Sequence, residues 1–302
     1  MPVFMCSGQG AQKPGMGADL LAVPEVAQVF EAAGQVLGLD LVQLATQGSE
    51  EQITDTYNAQ ALTAAVSVGV GQALKARGVQ PSAVLGFSLG QVSALVLADM
   101  LSVEDTFKLL DVRARAMREA CREREGAMLA LLGATEQEAA ELVAQAAGED
   151  VLVIANYNCP GQLVLSGDVA AIDRAQALWS ERPKSRCARL KTDGAFHSPL
   201  MQLAVEPIRQ ACEQLTFAEP SAPLICNTDA QPFVVAEAAE RLSKQVVSAV
   251  RFQQSVEYLI TQGETAFVET GFGGVLFNLM KRISKDVTRA KVGTAQELES
   301  YE

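Results

Sequence analysis

Short apolar runs alternate with longer stretches of 3.6-residue periodicity along the whole chain, and few folds accept that alternation. Val3–Cys6 and Ala83–Leu85 read as buried strands, whereas Pro24–Leu37, Ala59–Arg77 and Val103–Glu123 read as helices. Strand and helix in turn predict an α/β protein on a parallel sheet, because parallel neighbours need a crossover connection that a helix usually supplies. Between Gly126 and Lys191 the order changes to strand (Met128–Leu132), helix (Glu136–Ala146), strand (Val151–Ala155), strand (Leu163–Ser166), helix (Ala170–Ser180), strand (Arg186–Leu190). This βαββαβ order predicts a small ferredoxin-like subdomain at 126–191, inserted into a larger body made of 1–125 and 192–302. Beyond it the pattern predicts a helix near Pro199–Leu215, a strand at Leu224–Cys226 and helices to the end of the chain.

Composition narrows the function classes. The 302 residues are 49% hydrophobic, enough for a sizeable core, and carry 24 Lys and Arg against 36 Asp and Glu, a net charge of −12. That surface repels a polyphosphate backbone and argues against nucleic acid as a partner. The cysteines at 6, 121, 159, 187, 212 and 226 form no CxxC pair and read as reduced thiols. The opening residues lack a basic segment followed by a long apolar one, and no run of about 18 apolar residues occurs, so a cytoplasmic protein without a membrane anchor is expected. The single histidine, His197, rules out a two- or three-histidine metal site, and any imidazole chemistry must pass through it.

Gly86-Phe87-Ser88-Leu89-Gly90 follows the apolar strand directly and precedes a helical pattern, the context of a nucleophile elbow. Small neighbours let the serine adopt a strained backbone with its Oγ projecting, and the helix start leaves the Leu89 N–H free for a developing oxyanion. A glycine-rich turn with a capping serine is the plainer alternative. A serine hydroxyl needs a base, and His197, in a loop just before a helix start, is the available imidazole. The turn Ser7-Gly8-Gln9-Gly10 after the first strand can bring a second N–H, that of Gln9, close to the serine.

On the helix Val103–Glu123, at about 100° per residue, Leu109, Leu110, Ala116, Met117 and Ala120 fall within about 60° of Arg113. The cation therefore lies on the apolar face and requires either an internal acidic partner or the carboxylate of a ligand. Asn156–Gln162 joins the two middle strands of the insert and reads first as turn chemistry.

Together the Gly8–Gln12 opening, the Gly86–Gly90 elbow, Arg113-x-x-x-Met117, Asn156–Gln162, Ala195–Ser198, Asn227 and the late Gly271-Phe272-Gly273 resemble the malonyl-CoA:acyl-carrier-protein transacylase family of bacterial fatty-acid synthesis. The acyltransferase domains of polyketide synthases are related to it. The resemblance spans nearly the whole chain and implies an α/β-hydrolase-like body with the inserted subdomain. It implies acylation of Ser88, His197 as its base, an oxyanion hole from the backbone N–H groups of Gln9 and Leu89, and Arg113 holding the malonyl carboxylate. Phe196, Asn158 and Arg251 are implied to contact substrate, and the histidine is implied to be steered by a main-chain carbonyl from the Arg251 region. Phe196 beside His197 resembles the version that selects malonyl over methylmalonyl.

No bound cofactor or metal is implied. Malonyl-CoA is the donor, the phosphopantetheine thiol of acyl carrier protein the acceptor, and a monomer the default. Docking of that acidic carrier is expected on a basic patch, either Arg182, Lys184, Arg186, Arg189 and Lys191 or Lys281, Arg282 and Lys285. Three departures stand out: Phe87 where the family commonly has histidine, Gln91 for a frequent glutamate, and Arg251 for a frequent glutamine. A serine hydrolase or thioesterase, a polyketide-pathway acyltransferase and a non-catalytic carrier-binding subunit remain as alternatives.

Overall fold

Val3–Cys6 (β1) carries no charged side chain and is buried along its length, as a strand in the middle of a covered parallel sheet must be. The computed structural model, which describes residues 1–183 and 185–301, places it there. Parallel neighbours β2 (Ala83–Gly86) and β8 (Ala266–Thr270) flank it, and β7 (Leu224–Ile225) and β9 (Thr288–Val292) complete the order β7-β2-β1-β8-β9. The helix Thr56–Ala76 is apolar on nearly every side and is buried accordingly, packed on β1 and β8 and on the helices Pro24–Leu37 and Val103–Glu123. Phe4, Phe30, Leu62 and Phe107 belong to that core.

The second sheet holds β3 (Gly126–Leu132), β4 (Leu152–Cys159), β5 (Gln162–Asp168) and β6 (Arg186–Arg189), all antiparallel, in the order β4-β5-β3-β6. That is the ferredoxin-like order expected from the βαββαβ pattern. Side chains alternate along β3: Leu129 and Leu131 pack with Leu142, Ile172 and Trp179 of the covering helices, while Met128 and Ala130 face the body. One face of the insert is thus its own core, and the other is a wall offered to the site.

Two stretches differ from the sequence expectation. Asn156–Cys159 is not part of the turn but continues β4, whose register breaks at Ile154/Asn156 and again at Tyr157/Cys159, leaving Pro160-Gly161 as the turn. The body enforces this: the Val250 N–H donates to the Ala155 carbonyl at 2.8 Å and the Tyr157 N–H to the Val250 carbonyl at 2.9 Å. The C-terminal part is not all helix, because β8 and β9 lie in it. Each is five residues long. Glu269 interrupts the apolar character of the first, and the alternating Arg289 and Lys291 of the second suit an edge strand. No helix among the described residues is long and apolar enough to cross a membrane.

The elbow depends on close backbone packing. A Cβ on Gly86 would stand 1.9 Å from the Gly90 carbonyl carbon, and one on Gly90 would stand 2.1 Å from the Cys6 carbonyl oxygen. Only hydrogen fits at either place. Gly86→Ala is therefore expected to cost about 3 kcal/mol or more, read as a lowered midpoint in denaturant unfolding. A midpoint equal to that of the parent chain would contradict this packing.

Candidate active site

Ser88 sits where β2 turns sharply into the helix Gly90–Leu97, and its φ of 53° is left-handed, a costly conformation for a residue with a Cβ. Amides hold it there. The Ser88 N–H donates to Asn227 Oδ1 at 2.9 Å, and Asn227 Nδ2 donates back to the Gly86 carbonyl at 2.6 Å. Gln245 Nε2 donates to the Ser88 carbonyl at 2.8 Å, and the Asn227 N–H is taken by Gln91 Oε1 at 2.7 Å. Phe87, which also lines the cavity, meets Phe252 edge-on with ring centres 5.7 Å apart.

His197 occupies a second left-handed position, φ 59°, in a turn tied by the Ser198 hydroxyl donating to the Ala195 carbonyl at 2.6 Å. Its Nε2 is 2.6 Å from Ser88 Oγ, and its Nδ1 is 3.0 Å from the carbonyls of both Gln245 and Ser248. Carbonyl oxygens only accept, so Nδ1 carries the proton and Nε2 presents its lone pair to the serine hydroxyl. Two main-chain carbonyls, those of Gln245 and Ser248 just before Arg251, thus hold the ring, where the family resemblance implied one from the Arg251 region. Burial and the nearby Arg113 charge push the imidazole down to about 4, against the opposing effect of the two carbonyls. At neutral pH it is an unprotonated base.

Arg113 is buried on the helix face that periodicity indicated. Its Nη1 donates to Gln60 Oε1 at 2.6 Å and its Nη2 to Gln245 Oε1 at 3.2 Å, with Ser88 Oγ at 3.5 Å; Nε has no partner. Among the described residues no carboxylate pairs with it. Of the two sequence readings, the internal Arg–Glu pair is thereby absent. Burial lowers its pKa only to about 10, so the side chain stays a cation with its charge unbalanced, beside a serine. Such a group is a receptor for a small carboxylate.

These three side chains open on one cavity of about 190 Å³ between the body and the second sheet. Gln9, Leu89, Phe196 and Asn158 line it as well. The N–H groups of Gln9 and Leu89 meet no acceptor among the described residues, and the Asn158 Oδ1 is buried without a partner. Arg251 does not line the cavity: it stacks on the Tyr157 ring at 5.2 Å and its Nε donates to the Thr228 carbonyl at 3.1 Å. Sequence reasoning missed Gln60 and Gln245. The first had a signal, an amide within the apolar stretch Ala59–Leu62; the second, in Lys244-Gln245-Val246, had none. No cluster of His, Cys, Asp or Glu suited to a metal occurs among the described residues.

A strained serine on an elbow, a neutral imidazole against it and two free N–H groups define the geometry of an acyl-transferring enzyme. The sequence profile of the acyl transferase domain matches residues 3–298. The malonyl CoA-acyl carrier protein transacylase of Bacillus subtilis is 35% identical, covering 98% of this chain and 94% of that protein. The solved malonyl-CoA:acyl carrier protein transacylase of Xanthomonas oryzae superposes with a TM-score of 0.94 at 36% identity, covering 98% of this chain and 96% of its own. A malonyl-transacylase solved in complex with a type II polyketide-synthase acyl-carrier protein gives 0.94 at 33% identity, over 99% and 97%. The chain belongs to the malonyl CoA-acyl carrier protein transacylase family.

The electrostatics predict a pH signature. Because His197 titrates at about 4 rather than 6.5, reaction of Ser88 with a fluorophosphonate should stay fast until the pH falls through about 4. Arg113→Met removes one depressing charge but not the burial, so the acid limb should rise towards 6.5 without reaching it. An acid limb already at 6.5 in the parent chain would contradict the assignment. The same shift bears on stability: below 6.5 the unfolded chain takes a proton that the folded imidazole refuses, so this contribution declines as pH falls from 6.5 towards 4.

Proposed function

We propose that the chain transfers a malonyl group from malonyl-CoA to the phosphopantetheine thiol of acyl carrier protein, in fatty-acid synthesis, through an ester on Ser88. The observation that carries this reading is the buried, uncompensated Arg113 guanidinium 3.5 Å from the serine Oγ. It gives the far carboxylate of a short dicarboxylic thioester a counter-charge while the reacting carbonyl meets the serine.

Ser88 Oγ attacks the thioester carbonyl as its proton passes to His197 Nε2. The oxyanion is taken by the Gln9 and Leu89 N–H groups, the C–S bond breaks, and the CoA sulfur leaves with the proton from His197. The carrier thiol then gives its proton to His197, attacks the ester, and Ser88 recovers the proton as the C–O bond breaks. Nδ1, held by two carbonyls, keeps the ring oriented through both halves without a carboxylate partner. Phe196 bulk beside the base suits an unbranched malonyl. The reading divides the chain into a body of 1–125 and 192–302 and a subdomain of 126–191, acting as a monomer in the cytoplasm, where six free thiols stay reduced.

Carrier docking is assigned to cations that flank the cavity. Lys191 lines its mouth, and the Arg282 guanidinium packs against Gly161, next to the cavity residue Gln162. Arg186 and Arg189 are both exposed but lie on opposite faces of β6, and Arg189 is paired with Asp173 of the covering helix, while Lys184 lies outside the described residues.

Intact-mass measurement after mixing with malonyl-CoA should give a malonyl adduct that Ser88→Ala abolishes and His197→Ala slows about 1,000-fold. Arg113→Ala should slow acylation by malonyl-CoA about 100-fold and leave acetyl-CoA little changed. Lys191→Glu and Arg282→Glu should raise KM for the carrier but not for malonyl-CoA. Acceptor-independent release of free malonate at the rate of CoA release would replace the reading with hydrolysis. No adduct in the parent chain would mean that the site binds without reacting.

A further inference from the structure

Glu269 is a fully buried carboxylate that takes no part in the chemistry above. It lies on β8, beside β1 in register with Met5, just before the chain leaves the sheet. One oxygen, Oε1, accepts from the Ser7 hydroxyl at 2.9 Å; the other accepts from the Phe277 N–H at 2.8 Å, in the first turn of the helix Val275–Ile283. A buried carboxylate at that place is stabilised by the helix N-terminus and by the hydroxyl. Burial still holds its carboxyl above the usual range.

Both partners lead to the cavity. Ser7 is two residues from Gln9, which lines the cavity beside Ser88, and the helix contributes Val275 and Leu279 to the cavity wall. On its other side the loop abuts the elbow: a Cβ on Gly8 would lie 2.6 Å from the Phe87 carbonyl oxygen. The loop is therefore gripped between the residue before the nucleophile and the carboxylate. We propose that Glu269 is a positioning residue, fixing through Ser7 the distance of the Gln9 N–H from the reacting carbonyl and tying that loop to the helix walling the cavity. This inference rests on the acyl-transfer reading, in which that N–H stabilises an oxyanion.

Displacing an oxyanion donor weakens only the transition state, so kcat should fall while KM stays. Pre-steady-state CoA release from malonyl-CoA, measured on the full chain, tests this in the parent, Ser7→Ala, Glu269→Gln and the double variant. The expected result is a maximal acylation rate about tenfold lower in each single variant, KM within about twofold, and a double variant no slower than the slower single. Rates within twofold of the parent in Ser7→Ala, a raised KM at unchanged maximal rate, or single effects that multiply in the double variant would each overturn the proposal. Should Glu269→Gln fail to fold, Ser7→Ala decides alone, with its melting temperature recorded so that rate is compared per folded molecule. Failure of the parent itself to acylate at Ser88 would refute the acyl-transfer reading instead, a different outcome from normal acylation in all variants.

Discussion

A guanidinium buried without a counter-charge is the constraint on which the rest of the site depends. Arg113 is held by two side-chain amide oxygens, which orient its fork and solvate it in part but leave its charge in place. Removing a cation from water this way is costly unless an anion arrives to complete it. The same charge helps keep His197 unprotonated, so one unpaired cation both prepares a carboxylate site and readies the base. Positioning and acid–base state are coupled through a single side chain.

Around this cation the scaffolding is neutral. Gln60, Gln91, Asn227 and Gln245 link the serine backbone, the arginine and the loop after β7 through donors and acceptors of uncharged amides. A carboxylate at Gln60 or Gln245, the two that touch the guanidinium, would compete with a ligand for it. Gln91 does not touch the cation: its Oε1 accepts the Asn227 N–H, a bond that a glutamate would accept as well. Likewise, carbonyls rather than an acid orient His197, which leaves its pKa low.

The second sheet enters the same network from the other side. The backbone of Val250 pairs with Ala155 and Tyr157 of β4, and the segment just before it supplies both acceptors of His197. Arg251 adds a cation stacked on Tyr157 and a bond to the Thr228 carbonyl, clamping the insert to the body rather than meeting a ligand. The bulges in β4 fall at this pairing, at Ile154/Asn156 and Tyr157/Cys159, next to the residues that bond to Val250.

Periodicity and residue type were enough to determine the alternation of strand and helix, the elbow at Ser88, the burial of Arg113 and the uniqueness of His197 as a base. Each of these is local: a helix face follows from its 3.6-residue repeat, and an elbow from glycines two residues to either side of the serine. Tertiary structure alone decided which carbonyls hold His197, that Gln60 and Gln245 cradle the cation, that Asn156–Cys159 stays in a strand, and that β8 and β9 join the parallel sheet. Those features are pairings between stretches far apart in the chain, and an amide or a five-residue strand carries no local mark of the partner it will meet. Sequence sets which groups can react; packing sets which of them come within a hydrogen bond of one another.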